Sequence, residues 1–199
     1  MRKLLIAILS ISFFLTQSLR AEVKPYAFGD FKYFNYGITT SDLQELNRAV
    51  ISLGYTSSTS STDNSGVGFE LGFGVDVTKN LALEASYVDL GTLTINNNTT
   101  GPTTRNTLDI EGNSLAFGLV GKLGDDEKNY FFGRVGMHAW DMDARLTTGR
   151  GTATATLGDG TDYFAGVGFR GEMFRFGYDF YKIDDSDVSS LSVGIIHNF

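Results

Sequence analysis

The sequence has no cysteine, only 2 prolines among 199 residues, and no set of apolar runs long enough for a bundle of membrane-spanning helices. Without cysteine, neither disulfides nor cysteine-ligated zinc is available. Basic residues are also few, since 16 Lys and Arg stand against 23 Asp and Glu, and the resulting charge of −7 has the wrong sign for binding nucleic acid through its phosphates. These absences exclude thiol chemistry and a polytopic helical protein, and they argue against nucleic-acid binding.

Glycine and aromatic residues are abundant. The 24 glycines make up well over the roughly 7% of average usage, and 42% of the residues are apolar. This apolar content is too high for a disordered chain. The length fits one domain.

The first 21 residues have the pattern of a secretory signal. Arg2 and Lys3 precede an apolar stretch over residues 4–15, which is too short for a spanning helix, and Ala21 is a small residue at the expected cleavage point. We therefore expect a signal peptide at 1–21 and a single domain at 22–199. Loss of Arg2, Lys3 and Arg20 would leave 13 basic and 23 acidic side chains, a net charge of −10.

Apolar residues alternate with small or charged residues along the rest of the chain, which predicts β-strands with two unlike faces. The clearest case is residues 66–77, where Val, Phe and Leu alternate with Gly, Glu and Asp. Seven further segments show the same period, at 27–33, 81–87, 114–122, 134–137, 165–170, 174–180 and 191–199. The sequence thus predicts eight strands.

Two architectures accommodate eight such strands: a soluble barrel with its apolar face inward, or a membrane barrel with that face outward. The second face consists mainly of Gly, Ala and Ser, which suits a narrow lumen better than a solvated surface. Short connections at 78–80, 124–128 and 171–172 alternate with mostly longer ones at about 39–64, 93–105, 146–152 and 184–188. We therefore predict an all-β, eight-stranded antiparallel transmembrane up-and-down barrel, with its short turns toward the periplasm.

The first long loop contains a predicted helix. Ser41 and Gln44 form a capping-box pattern, and apolar residues recur at helical spacing from Leu43 to Leu53, before Gly54. We interpret this helix as an element that packs on the upper barrel, in preference to a partner-binding surface. The polar stretch over residues 56–65 is expected to be mobile and solvated.

Five charged residues on the predicted lumen face are candidate site residues, because charges inside a narrow barrel must be paired or hydrated. A static ion-pair network is the favoured interpretation, and a gate whose pairs exchange to open a water path is the alternative. The five are Glu70, Glu84, Lys122, Arg134 and Arg175.

No residue pattern indicates catalysis or metal binding. His138 is predicted to face the lumen and His197 to face lipid, and neither lies in a recognisable nucleophile motif. Asp184, Asp185 and Asp187 lack the spacing of a calcium loop and are predicted to form a solvated turn. We expect no enzyme activity, cofactor or metal.

Several stretches resemble the OmpA-like outer-membrane β-barrel family: LALEASYVDLG at 81–91, GKLG at 121–124, GRVGMHAWD at 133–141, and a terminal strand that ends in Phe199. The resemblance covers essentially all of 22–199. It implies a barrel in a Gram-negative outer membrane, in which Glu84, Lys122 and Arg134 match lumen charges of the family. It also implies an assembly signal in the last strand, carried by Leu191, Val193, Ile195 and Phe199.

The expected function is that of a non-enzymatic integral outer-membrane protein that contributes to envelope integrity or surface interaction through its outer loops. A narrow gated pore for ions or small solutes is the alternative, and an outer-membrane lipid hydrolase is a weaker one. Expected partners are outer-membrane lipids and lipopolysaccharide, the barrel-assembly machinery, and a surface ligand of unknown identity. Because the resemblance ends with the barrel, we expect no peptidoglycan-binding domain.

Overall fold

The computed structural model describes residues 24–52, 56–100, 105–124, 128–149 and 151–199. The predicted signal at 1–21 lies outside these ranges. Within them the chain forms nine strands and one helix, α1 (Thr40–Ser52). The strands are β1 (Lys24–Asn35), β2 (Ser57–Thr62), β3 (Ser65–Thr78), β4 (Leu81–Thr100), β5 (Arg105–Leu123), β6 (Tyr130–Thr148), β7 (Gly151–Arg170), β8 (Phe174–Ile183) and β9 (Ser186–Asn198).

All strands except β2 form a closed antiparallel ring. Each of these eight pairs with the strands before and after it, and β1 pairs with β9 from Tyr26 opposite Asn198 to Asn35 opposite Ser189. This last pairing closes the sheet, so that its backbone groups are satisfied without water. The prediction of an eight-stranded antiparallel barrel is confirmed.

The strand β2 lies where the sequence predicted a mobile polar segment, and that prediction is wrong. Residues 57–62 pair with the C-terminal part of β4, from Ser57 opposite Thr100 to Thr62 opposite Ile95. The physical reason is a set of side-chain hydrogen bonds, because the Asn97 amide donates to the hydroxyls of Ser58 and Ser60 at 2.8 Å each.

The barrel wall is much taller on one side. The strands β4 to β7 continue through the predicted loops at 93–105 and 146–152, of which residues 101–104 and 150 lie outside the described ranges. The expected long connections are therefore mostly strand, because the alternation of inward and outward residues continues through Leu93 and Ile95, which are buried. We call this extension, residues 57–62, 91–100, 105–112, 142–148 and 151–158, the flange.

The two ends of the barrel differ. At one end lie the described chain termini and two tight connections, 79–80 and 171–173, and we call it the turn end. At the other lie α1 and the flange, and we call it the loop end. The β8–β9 connection at the loop end is a two-residue turn at Asp184 and Asp185, shorter than the expected loop, and Asp184 has a left-handed φ of 51°.

The outer face of the ring is an apolar belt. Phe, Leu, Val, Ile and Tyr side chains project outward from every strand of the ring, and Leu115 and Ile195 are each about two-thirds exposed, at 65% and 66%. The residues between them point inward, where they are buried or half-buried. A face this apolar is stable only against lipid, as in a transmembrane barrel.

The predicted helix is present, with its start shifted. The capping pair is Thr39 and Asp42, not Ser41 and Gln44: the Thr39 N–H and hydroxyl donate to Asp42 Oδ2 at 2.7 and 2.9 Å. An acid in the first turn also interacts favourably with the helix dipole, which explains the choice of Asp42. No helix in the described ranges is long and apolar enough to cross a membrane.

Candidate functional site

A layer of seven buried charged residues crosses the middle of the lumen. It contains three cations and four carboxyl groups, each with 6% exposure or less. Because alternate residues of a strand face inward, strands far apart in sequence contribute to one layer. The members of this charge layer are Asp30 and Lys32 on β1, Glu70 on β3, Glu84 on β4, Arg134 on β6, and Arg175 and Asp179 on β8.

Glu70 and Asp179 share two cations. Arg134 donates from both terminal nitrogens to the Glu70 carboxylate at 2.9 Å and from Nε to Asp179 Oδ1 at 2.7 Å. Lys32 Nζ lies 2.9 Å from Glu70 Oε2 and 2.5 Å from Asp179 Oδ2. The hydroxyl of Ser86 donates to Glu70 Oε1 at 2.7 Å, so every charge in this group is hydrogen-bonded. Such bonding compensates the cost of removing these groups from water.

The second group joins Glu84 to Arg175. Arg175 donates to the two Glu84 oxygens at 2.8 and 3.1 Å, and the Tyr26 hydroxyl donates to Oε1 at 2.9 Å. Arg134 Nη1 lies 3.6 Å from Glu84 Oε2 and so connects the two groups. Charges contributed by five different strands of the ring thus form one continuous network.

Asp30 is the least satisfied member. Its Oδ2 lies 3.4 Å from Arg175 Nε, yet neither carboxyl oxygen makes a hydrogen bond within the described part of the chain. Room for this carboxyl comes from Gly194, where an added Cβ would collide with Asp30 Oδ1, and Gly166 gives Asp179 similar room. At these two positions glycine is required because a buried carboxylate fills the space that a Cβ would occupy.

Apolar clusters seal the charge layer on both sides. Toward the turn end lie Tyr26, Phe28, Tyr130 and Phe132, with Arg175 stacked 4.1 Å from the Phe28 ring centroid. Toward the loop end lies a larger cluster, which includes Phe34, Tyr36, Val88, Leu90, Phe164 and Tyr181. With the lumen filled at three levels, the barrel interior is a packed core.

The structure brings together four of the five lumen charges singled out from sequence, namely Glu70, Glu84, Arg134 and Arg175. The fifth, Lys122, points into the turn end, where its Nζ lies 2.5 Å from Asp76 Oδ2 and 5.1 Å from the Tyr130 ring centroid. Three members of the layer were missing from the candidate set: Asp30, Lys32 and Asp179. Their positions on the polar side of the strand alternation were the available signal.

The four terminal-strand residues considered as an assembly signal project outward. Leu191, Val193 and Ile195 are 60%, 47% and 66% exposed on β9, and Phe199 follows that strand. The Phe199 ring lies 6.3 Å from the Phe73 ring, centroid to centroid. They form part of the apolar belt, and their role in assembly stays a prediction.

One histidine is hydrogen-bonded to a serine. His138 Nδ1 lies 2.9 Å from Ser114 Oγ, and Nε2 lies 2.8 Å from the Lys182 carbonyl oxygen. Since the carbonyl only accepts, Nε2 carries a proton, and in the neutral ring Nδ1 accepts from the serine hydroxyl. A nucleophile and a base are thus adjacent, but both side chains are 1% exposed within the packed lumen, and a backbone carbonyl occupies the place of the orienting acid.

The mouth at the loop end is covered by α1. Leu43 and Leu46 pack against the larger apolar cluster, which matches the interpretation of this helix as a packing element. On the same helix, Asn47 Oδ1 accepts hydrogen bonds from the hydroxyls of Ser58 and Ser60, at 2.9 and 2.8 Å. The helix is therefore fixed both to the barrel core and to the flange.

No protein-family model matches the chain, and no curated protein sequence matches it. Solved structures do. The outer-membrane protein OprG of Pseudomonas aeruginosa is 12% identical with a TM-score of 0.55, over 88% of this chain and 95% of that one. Ail of Yersinia pestis, 14% identical, has a TM-score of 0.49 over 89% and 97% of the two chains, and neisserial surface protein A, 14% identical, has 0.39 over 90% and 100%.

The likeness to OprG, together with the closed ring and the apolar belt, defines the class of fold. The chain has the fold of the small, OmpA-like outer-membrane β-barrels, with eight antiparallel transmembrane strands.

Proposed function

We propose that this chain is a non-enzymatic integral protein of a Gram-negative outer membrane, exported by a signal at 1–21, whose barrel at 22–199 anchors a surface-interaction element at its loop end. The observation that carries the proposal is the contrast between the two parts of the molecule. The lumen is filled by ion pairs and aromatic rings, whereas the flange extends four strands beyond the belt.

The environment proposed for the barrel follows from its surface. Outer-membrane lipids and lipopolysaccharide would contact the apolar belt, and the barrel-assembly machinery would insert it, with Leu191, Val193, Ile195 and Phe199 as the recognised signal. The flange and α1 would face the cell exterior, because short turns lie on the periplasmic side in barrels of this class.

The test compares three strains: wild type, a deletion of the whole protein, and a variant that lacks only residues 41–63. The proposal expects the partial deletion, which removes α1 and β2 from the loop end, to weaken surface binding while it keeps a folded barrel and an intact envelope. If only the complete deletion had a phenotype, and that phenotype were leakage of periplasmic protein, the barrel and not the loop end would carry the function.

A narrow gated pore is the second candidate function, and the position of Arg134 between two carboxylates supports it. Its Nη1 lies 2.9 Å from Glu70 and 3.6 Å from Glu84, so a small movement would exchange partners. In planar bilayers the wild-type protein should show no steady conductance if the network is static. A higher conductance of the Glu70→Gln variant than of the wild type, with unchanged stability, would support the gate.

A further inference from the structure

One edge of the flange has no neighbouring strand. The pairing of β7 with β8 begins only at Phe164, opposite Tyr181, whereas β7 itself begins at Gly151. The β8–β9 turn reaches as far as Asp162, whose Oδ2 accepts from the Asp184 N–H at 3.0 Å. Among the described residues, no strand pairs with 151–161 on that side, and we call this stretch, roughly 35 Å of strand, the open edge.

The open edge has little of the usual protection of edge strands. Gly151 to Leu157 are exposed at every position, and the segment GTATATLG at 151–158 contains no proline and no charge. Natural edges are commonly blocked by proline, lysine or a covering element. The flange has a second edge at β2, but α1 packs beside that strand. The open edge does carry one protective device, a β-bulge: the register shift between Met142 and Asp143 leaves Leu157 unpaired with β6.

The outer face beside the open edge is acidic. Strand register places Asp141 directly opposite Asp159, and Glu111 directly opposite Asp143. All four are exposed, and none is in an ion pair within the described residues. Like charges opposite each other on adjacent strands destabilise a sheet. Arg145, a cation on the same face, is opposite Asp109 in the register and lines one surface depression with Glu111 and Asp143, but it makes no ion pair with either among the described residues.

We infer that the open edge of β7 is a docking strand for an extended, lysine- or arginine-bearing segment of another protein, which adds to the flange as a further strand. Its backbone would pair with the free N–H and C=O groups of 151–161, as in other cases of strand addition. Its basic side chains on the outer face would offset the two carboxylate pairs. Charge complementarity favours this occupant over a second copy, whose open edge would bring the same acidic face. The inference rests on the proposed surface role of the loop end.

The experiment uses the whole mature chain in phospholipid nanodiscs, in buffer with a chelator, and a capped decapeptide in which lysine alternates with threonine. Hydrogen exchange of the backbone amides is followed residue by residue. We expect alternate amides of 151–161 to exchange at least about tenfold more slowly with peptide, because only alternate residues point to the open side. The exchange rates of amides in the turn-end half of β6 should not change.

Four comparisons separate edge pairing from charge attraction. The same decapeptide with every backbone nitrogen methylated, and a glutamate–threonine decapeptide, should give no slowing. The double variant Asp143→Asn, Asp159→Asn should weaken binding of the lysine peptide about fivefold. The matched variant Glu45→Gln, an exposed acid on α1, should leave binding unchanged.

Two results would overturn the inference. One is that exchange becomes no slower anywhere in 151–161 with the lysine peptide at millimolar concentration, whether or not the peptide binds elsewhere. The other is slowing that appears without peptide and grows with protein concentration, which would make a second copy the occupant. Either result leaves the strain comparison for the surface role unaffected, so the two proposals can fail independently.

Discussion

Arg134 on β6 and Glu70 on β3 form a two-pronged ion pair across the lumen, with both N–O distances 2.9 Å, although 64 residues separate them in the sequence. Neither strand neighbours the other in the ring. The pair therefore links two strands that are three positions apart in the ring and that backbone hydrogen bonds do not connect directly. Its contribution is to fix the interior of the barrel as well as to neutralise buried charge.

Removal of one partner should be costly. Glu70→Ala leaves Arg134 and Lys32 buried beside a missing charge, and a broken buried pair typically costs about 3–5 kcal/mol. The matched control is Glu172→Ala, which breaks a pair with Lys128 whose side chains are 63% and 65% exposed, and it should cost about 1 kcal/mol or less. Reversible urea unfolding in lipid vesicles measures both differences.

The double variant Glu70→Ala, Arg134→Ala extends the same experiment. Because the two residues contact each other directly, removing both should cost less than the sum of the single losses. Simple additivity, with single losses under about 0.5 kcal/mol, would show that water hydrates these groups and that they act independently.

The apolar belt predicts that the protein folds only with lipid or detergent. The purified mature chain should refold in detergent micelles and should migrate differently on a gel before and after heating, as a compact barrel does. In plain buffer it should aggregate, because the belt exposes large side chains such as Leu115 and Ile195. A soluble, folded monomer without detergent would contradict an outward apolar face.

The asymmetry between the turn end and the loop end predicts orientation. Protease added to intact cells should cut within residues 41–63 and should spare 79–80 and 171–173. The reason is that short turns of such barrels face the periplasm. Cleavage at 171–173 in intact cells, with 41–63 protected, would reverse the orientation.

Strand number, strand faces and the helix could be predicted because each depends on local periodicity. The alternation that puts Phe69 outward and Glu70 inward is present in the sequence itself. By contrast, the height of the flange depends on pairing between strands. Residues such as Asn96 and Asn97 have weak strand preference alone, yet they continue a ladder that the barrel has already aligned.

The charge layer was only partly predictable for a similar reason. Alternation placed Lys32 and Asp179 on the polar faces, but their meeting with Glu70 depends on the stagger of strands around the ring. The same stagger separates Lys122 from the layer and pairs it with Asp76. The pairing of Ser114 with His138 likewise needs the register of β5 against β6, which no local pattern specifies.

The cap of α1 predicts a dependence on pH. Hydrogen bonds from the Thr39 N–H and hydroxyl lower the pKa of Asp42 below its ordinary value. A carboxyl whose pKa falls on folding stabilises the folded state fully above its unfolded pKa of about 3.9, and that stabilisation is lost as the pH falls through the folded value. Amide protection factors within 40–52 should therefore decrease in acid.

The variant Asp42→Ala tests this cap directly. It should reduce protection of α1 at pH 7 and should remove most of the pH dependence below about pH 4. The control is Glu45→Ala on the same helix, which is not part of the cap and should keep the pH dependence. Equal behaviour of the two variants would mean that Asp42 does not cap the helix in solution.

Glycines beside the charge layer give the last prediction. At Gly166 an added Cβ would collide with Asp179 Oδ1, so Gly166→Ala must displace a carboxylate that holds both Lys32 and Arg134. Gly121 is the matched control in another strand of the ring, since the nearest atom to its added Cβ is the Gly133 carbonyl oxygen at 3.9 Å. Overpacking of a filled interior typically costs about 1–3 kcal/mol. Urea unfolding in vesicles should show that loss for Gly166→Ala and none for Gly121→Ala, and equal stabilities would mean that the lumen holds spare volume.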